Sequence, residues 1–150
     1  MGRKNPRNKE NPSKKKQPTH YLDPISWKTS YPSWAFDRLD CSCEKWSVSS
    51  CKDICNKILF KLKSFEEMTW DAILKQTHDD GKSSNHYLNI EDLSKDASEK
   101  LARLHVDFEL LFSLRLQNTE RLIGLLDDGV FHIIWYDQNH EVCVSTKKHT

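Results

Sequence analysis

Residues 109–137 read ELLFSLRLQNTERLIGLLDDGVFHIIWYD, and the pattern of this stretch decides the fold. Its apolar residues recur with a period of two, which is typical of β-strands and not of helices. The segments QNTE and DDG interrupt the pattern, and both carry residue types that form tight hairpin turns. The stretch therefore predicts three consecutive strands in an antiparallel meander. Gly124, inside the second strand, indicates a bulge or a close approach of another group.

Strict alternation along the last predicted strand assigns its side chains to two faces. Phe131, Ile133 and Trp135 fall on one face, which we expect to meet the helices. Tyr136 falls on the other face together with His132, so this second face is predicted to be mixed in polarity.

Upstream of the meander, the apolar residues follow the 3.6-residue period of amphipathic helices. Each of three predicted helices begins at a Ser or Thr that can cap its N-terminus. They are residues 49–68 from Ser49 or Ser50, residues 69–76 from Thr69, and residues 93–104 from Ser94. HYLNI, residues 86–90, is a short strand candidate. The order predicts an α+β fold, with N-terminal helices packed on one face of a small C-terminal antiparallel sheet.

Charge divides the chain of 150 residues into a tail and a domain. Residues 1–16 hold seven Lys and Arg against Glu10 alone, a net charge of +6, and the other residues hold 16 basic and 21 acidic ones, a net charge of −5. Residues 1–20 lack apolar residues after Met1, so we expect a disordered basic tail. Residues 21–150 are predicted to form a single domain. Its aromatic arm, residues 21–46, would pack on the core or, alternatively, stack on bases.

Several function classes receive no support from the composition. No apolar run approaches the ~20 residues of a membrane span, and no apolar stretch follows the N-terminal charges as in a secretory signal. A cytoplasmic protein without a membrane partner is therefore expected. The sequence shows neither a phosphate-binding glycine loop nor a serine triad pattern.

Five cysteines are an odd number, which favours reduced thiols over a complete set of disulfides. Four thiolates can bind zinc, so a zinc site is a minor alternative to small apolar packing roles. Its ligands would be Cys41, Cys43, Cys51 and Cys55.

The succession SLRL, QNTE, RLIGLL, DDG and VFHIIWYD resembles the sheet of the RelE/ParE superfamily of small bacterial toxins. The resemblance covers roughly residues 90–145, and Arg115, Arg121 and the pair His132 and His140 stand where the family carries basic residues. The segments MTWDAI, LFSLRL, FHIIWYDQNHEV and KKHT also resemble an uncharacterised family of small bacterial and phage proteins.

The toxin resemblance implies an endonuclease that cleaves messenger RNA on the ribosome without a cofactor and that a cognate antitoxin neutralises. Such chemistry needs a base, an acid and cations around the phosphate. The candidate catalytic residues are Arg115, Arg121, His140, His149 and Tyr136. The candidate substrate-binding residues are Lys147, Lys148, His132 and His86.

Turn formers in the segment DQN are expected to fold the chain back after the last strand and to bring His140 beside Arg115 and Arg121. Two features depart from the toxin pattern, namely the acidic body and the long aromatic arm. They keep open an alternative from another class, a non-catalytic protein-interaction module of a mobile element or phage with the same fold.

Overall fold

Five strands form one sheet in the order β1-β5-β4-β3-β2 in the computed structural model, which describes residues 26–105 and 109–143. Their bounds are Ser33–Ala35 (β1), His86–Asn89 (β2), Leu110–Gln117 (β3), Glu120–Asp127 (β4) and Val130–Asp137 (β5). Strands β2 to β5 pair antiparallel, and β1 pairs parallel with β5. The meander and the strand at HYLNI are present, and the α+β class is confirmed. The predicted tail, residues 1–20, lies outside the described residues.

Helices occur before the meander, as predicted. Their bounds are Cys55–Leu59 (a π-helical turn), Phe60–Phe65 (α1), Trp70–Leu74 (α2) and Lys95–Arg103 (α3). Single 3-10 turns occupy Trp27–Thr29, Val48–Ser50 and Ile90–Asp92. Among the described residues, no helix has the length and apolar character that crossing a membrane requires.

Two of the predicted N-caps are confirmed. The Thr69 hydroxyl accepts a hydrogen bond from the Ala72 N–H at 3.3 Å, and the Ser94 hydroxyl accepts one from the Ala97 N–H at 3.2 Å. The first helix begins later than predicted, because Ser49 and Ser50 belong to the separate 3-10 turn and the chain is extended at Cys51. Helical backbone then starts with the π-helical turn at Cys55.

Apolar cores lie on both faces of the sheet. The first core joins α1 and α2 to the sheet through side chains that include Ile58, Leu62, Phe65, Trp70, Ile73, Phe112, Leu114, Leu122, Phe131 and Ile133. The second core joins α3 to the other face through Trp46, Leu88, Ala97, Leu101, Leu111, Ile123, Ile134, Trp135 and Val142. The expectation that the helices share one face is therefore wrong for α3. Both faces of the central strands are apolar, and each needs a cover.

A β-bulge in β5 explains why Trp135 lies on the face opposite to the predicted one. Ile123 pairs with Trp135 and Gly124 pairs with Ile133, so Ile134 is an additional residue in β5. A bulge of this kind reverses the alternation beyond it. Trp135 therefore joins the second core, and Tyr136 turns to the first. A Cβ on Gly124 would lie 2.0 Å from the His132 carbonyl oxygen, which is the close approach that this glycine indicated.

The described part of the aromatic arm packs on both cores, with Trp27 and Trp34 on the first and Trp46 in the second. The indole of Trp34, in β1, meets the indole of Trp70 edge-on with ring centroids 6.0 Å apart, and Trp27 does the same at 6.2 Å. Trp70 Nε1 donates a hydrogen bond to the Gly129 carbonyl at 2.8 Å. The Ser33 N–H, in β1, donates to the same carbonyl at 3.3 Å, so both the arm and α2 are joined to the turn between β4 and β5. Tyr31 and Phe36, on either side of β1, are 63% and 52% exposed.

The substitution Gly124→Ala tests the importance of the bulge. We expect it to lower the free energy of unfolding by at least about 3 kcal/mol, because the new Cβ meets backbone that cannot move alone. Urea denaturation measures the change. Gly81→Ala is the matched control: its Cβ meets nothing within 4 Å, and its φ of +77° predicts a loss of about 1 kcal/mol. Equal losses for both variants would contradict the role given to the bulge.

Candidate functional site

Arg115 and Arg121 face each other across neighbouring strands. They are direct partners in the register of β3 and β4, which places their Cβ atoms about 5 Å apart. Leu116 is an additional residue between Arg115 and Gln117 in that register, and this irregularity puts both arginines on the face that carries Ile123 and Trp135. Like charges in direct opposition destabilise a sheet. The pair therefore calls for an explanation other than stability.

The guanidinium group of Arg121 is buried, and within residues 26–105 and 109–143 no carboxylate forms an ion pair with it. The residue is 6% exposed, and its Nη1 donates to the carbonyls of Asn118 at 2.8 Å and Glu120 at 3.0 Å. Its Nε is buried and has no hydrogen-bond partner among the described residues. Burial lowers the pKa of Arg121 to about 10, and the nearby charge of Arg115 adds to the effect. Arg121 stays cationic at neutral pH, so the site favours an anion.

Asp137 folds the chain back after β5. Its carboxylate accepts hydrogen bonds from the backbone N–H groups of Glu141 and Val142, each at 2.9 Å. The same residue is the register partner of Arg121, and its charge partly offsets the shift in the pKa of Arg121. The chain therefore turns back at DQN, and the returning segment carries His140 toward Arg121.

His140 lies half-buried in this returning segment, with a φ of +57°. Burial lowers the pKa of its imidazole, and the positive charge of Arg121 lowers it further. Asp137 acts in the opposite direction, and His86 makes a smaller lowering contribution. His140 is thus within electrostatic reach of both Arg121 and His86, and its imidazole is neutral at pH 7.

His86, the first residue of β2, lies opposite Ser113 of β3. The residue as a whole is exposed, yet the surrounding protein desolvates the imidazole enough to lower its pKa. The charge of Arg121 lowers the pKa as well, and a hydrogen bond to the Ser83 backbone opposes both effects. A second neutral imidazole therefore borders the arginine pair. We name Arg115, Arg121, His86 and His140 the arginine–histidine site.

Two further residues position Arg115, and sequence reasoning did not assign them to the site. His78 Nε2 lies 3.4 Å from Arg115 Nη1. The amide of Asn85, 1% exposed, accepts from the Arg115 N–H at 2.8 Å and donates to the Ile73 carbonyl at 2.9 Å. Asn85 thus connects α2, β2 and β3 directly beside His86. In the sequence, only the position of Asn85 directly before the strand HYLNI pointed to a role in the site, and an asparagine at that position is equally typical of a turn.

Tyr136 lies on the opposite face of the sheet, so its predicted place in the catalytic set is wrong. Its hydroxyl donates to Glu120 Oε1 at 2.5 Å in the first core, where Lys57 also pairs with Glu120 at 3.3 Å. Burial raises the pKa of Tyr136, and the hydrogen bond to Glu120 raises it further. The bulge at Ile134 causes the difference, because without it Tyr136 would lie opposite Arg121.

His132 lies away from the site and was also predicted incorrectly. It pairs with Ala35 of β1 at the other end of β5, and its Nδ1 lies 2.7 Å from Asp37 Oδ1. Lys147, Lys148 and His149 lie outside the described residues.

The four cysteines of the zinc alternative do not converge. Cys43 is buried in the second core and Cys51 in the first, while Cys41 and Cys55 are exposed. Within the described ranges, no three His, Cys, Asp or Glu side chains are grouped to hold a metal ion. The two buried thiols act as small apolar side chains, and the zinc alternative is wrong for these four residues.

Comparisons of the chain with models of protein families, with curated proteins and with solved structures find no match. The resemblance to RelE/ParE toxins therefore stays a prediction, and any assignment of function depends on the arginine–histidine site.

The imidazoles of His86 and His140 should titrate below the ordinary value of about 6.5. Burial and the charge of Arg121 disfavour the charged imidazolium, so both rings stay neutral down to a lower pH. Phosphate bound between the arginines should reverse this effect and raise both pKa values. NMR titration of the imidazole C–H signals, with and without inorganic phosphate, measures both. Values at or above 6.5 in the free protein would contradict the described environment.

Proposed function

We propose that this protein is a metal-independent RNA endonuclease of the RelE/ParE toxin kind. One observation carries the proposal: Arg121 is a buried cation with which no carboxylate of the described residues forms an ion pair, and it lies beside a second arginine and two imidazoles whose pKa values are lowered. Two guanidinium groups suit the oxygens of a phosphodiester, because they donate in a fork and remain charged.

In the proposed reaction, the neutral imidazole of His140 accepts the proton of a ribose 2′-hydroxyl. The 2′-oxygen attacks the adjacent phosphorus, and the bond from phosphorus to the 5′-oxygen breaks. Arg115 and Arg121 stabilise the negative charge that gathers on the phosphoryl oxygens. His86 is protonated as the substrate's phosphate raises its pKa, and it gives this proton to the leaving 5′-oxygen. The products are a 2′,3′-cyclic phosphate and a 5′-hydroxyl.

The surroundings favour an RNA substrate over a mononucleotide. His86 and His140 approach Arg121 from different elements, β2 and the segment after β5, so the acid and the base of the reaction are held independently of each other. A strand of RNA can enter such a site with the cleaved phosphate over the arginines. The messenger on a ribosome is the substrate that the toxin resemblance implies, and an antitoxin would then act by covering the site.

An interaction module is the second candidate, and the exposure of Tyr31 and Phe36 favours it. These aromatic side chains flank β1, and the register pairs that edge strand with β5 alone. Exposed aromatic groups at a strand edge are typical of surfaces that add a partner's strand. Under this alternative, changes in the arginine–histidine site would leave the protein's effect on cells unaltered.

Incubation of labelled RNA with the purified protein, with and without ribosomes and with a chelator present, tests the proposal. The wild type should release fragments with 2′,3′-cyclic phosphate ends. Arg121→Met and His140→Ala should each lose at least about 100-fold in rate, because each removes a group that acts in the transition state.

His132→Gln is the matched control for His140→Ala. It removes a histidine of β5 that lies outside the arginine–histidine site, so its cleavage rate should stay near that of the wild type. Arg121→Met should also unfold in urea at a midpoint no lower than the wild type, because it removes a buried, unpaired charge. The absence of any cleavage by the wild type would refute the proposal, and a fall in the midpoint would indicate a structural role for Arg121.

A further inference from the structure

Two grooves meet at Arg115, and their linings differ in charge. The first, of about 390 Å³, runs to Lys61 of α1 and contains Asn118 of the β3–β4 turn. The second, of about 490 Å³, runs along the loop after α2 and contains Asp79 and Asp80. The first groove has two cations and no acidic residue in its lining. A polyanion that reaches Arg115 is therefore attracted along the first groove and repelled from the second.

Lys61 is positioned by an aromatic ring and not by any carboxylate in the part of the chain that the structure describes. Its ammonium group lies 5.7 Å from the centre of the Phe65 ring. Among the ion pairs of the described residues, none includes Lys61 or Arg115. The residues after position 16 carry a net charge of −5, so the first groove is a cationic part of an otherwise acidic domain.

The walls between the two cations suit a nucleobase. The groove lies within the size range of small-ligand pockets. The Asn118 amide offers both a donor and an acceptor, which is what the edge of an unpaired base requires.

We infer that the groove between Arg115 and Lys61 binds the nucleotide next to the cleaved phosphate, with Lys61 contacting the following phosphate of single-stranded RNA. This inference rests on the proposed function and names the path of its substrate. Lys61 does not touch the reacting atoms. It binds substrate and transition state alike, so its loss raises KM and leaves kcat nearly unchanged.

Binding of a fluorescent single-stranded RNA whose 2′-hydroxyls are all methylated tests the inference without cleavage. Fluorescence anisotropy between 50 and 200 mM KCl gives the affinity and its salt dependence. Lys61→Ala should weaken binding several-fold and reduce the slope of log K against log salt by about 0.7, the value for one phosphate contact in single-stranded nucleic acid. Lys61→Arg should restore the slope. Lys63→Ala, an exposed lysine of α1 outside the groove lining, should leave it unchanged.

Asn118→Asp is a second, independent variant, because it adds a negative charge to the same groove, and it should also weaken binding. If the wild type cleaves RNA but both groove variants bind like Lys63→Ala, the path is wrong and the proposed function survives. If the wild type cleaves no RNA, the proposed function itself fails. If Asp79→Asn binds the RNA more tightly and Lys61→Ala binds it as tightly as the wild type does, the RNA lies in the second groove and the inference is overturned.

Discussion

The register of β4 against its two neighbours is the constraint on which the rest of the structure depends. Each of the two neighbouring strands contains one residue that has no register partner in β4. These residues are Leu116 in β3 and Ile134 in β5. The first irregularity brings Arg115 to the face of Arg121, and the second puts Asp137 opposite Arg121 in place of Tyr136. Because a shift of one residue exchanges the faces of a strand, both irregularities are needed to assemble the site.

The β-bulge at Ile134 in β5 also allows the sheet to be buried on both faces. It turns Trp135 to the second core and Tyr136 to the first, so the end of β5 contributes a large side chain to each. Gly124 is required where β5 approaches most closely, since the space that a Cβ would need is occupied by the His132 carbonyl. The bulge in β5 thus determines both the packing of the two cores and the residue that lies opposite Arg121.

The charges of the site oppose the stability of the fold. Arg121 is desolvated and faces another arginine, and its Nε has no hydrogen-bond partner in the described ranges. Asp137 directs its carboxylate to two backbone N–H groups instead. A protein selected for stability alone would place an apolar residue or an ion pair there. A buried cation that no described carboxylate pairs with, beside neutral imidazoles, is the arrangement that an anionic substrate completes, and such conflicts with stability concentrate at functional sites.

The sequence by itself determined the class of the fold, the three strands of the meander, the caps at Thr69 and Ser94, and the return of the chain after β5. These followed from local periodicity, from turn residues and from the short reach of a hairpin, all of which act between near neighbours in the chain. Only the tertiary structure decided the faces of Trp135 and Tyr136, the place of His132, and the parts played by Asn85 and His78. Bulges and contacts between distant segments set these features: a bulge is chosen by the packing of both faces together, and Asn85 meets Arg115 only after α2, β2 and β3 have come together.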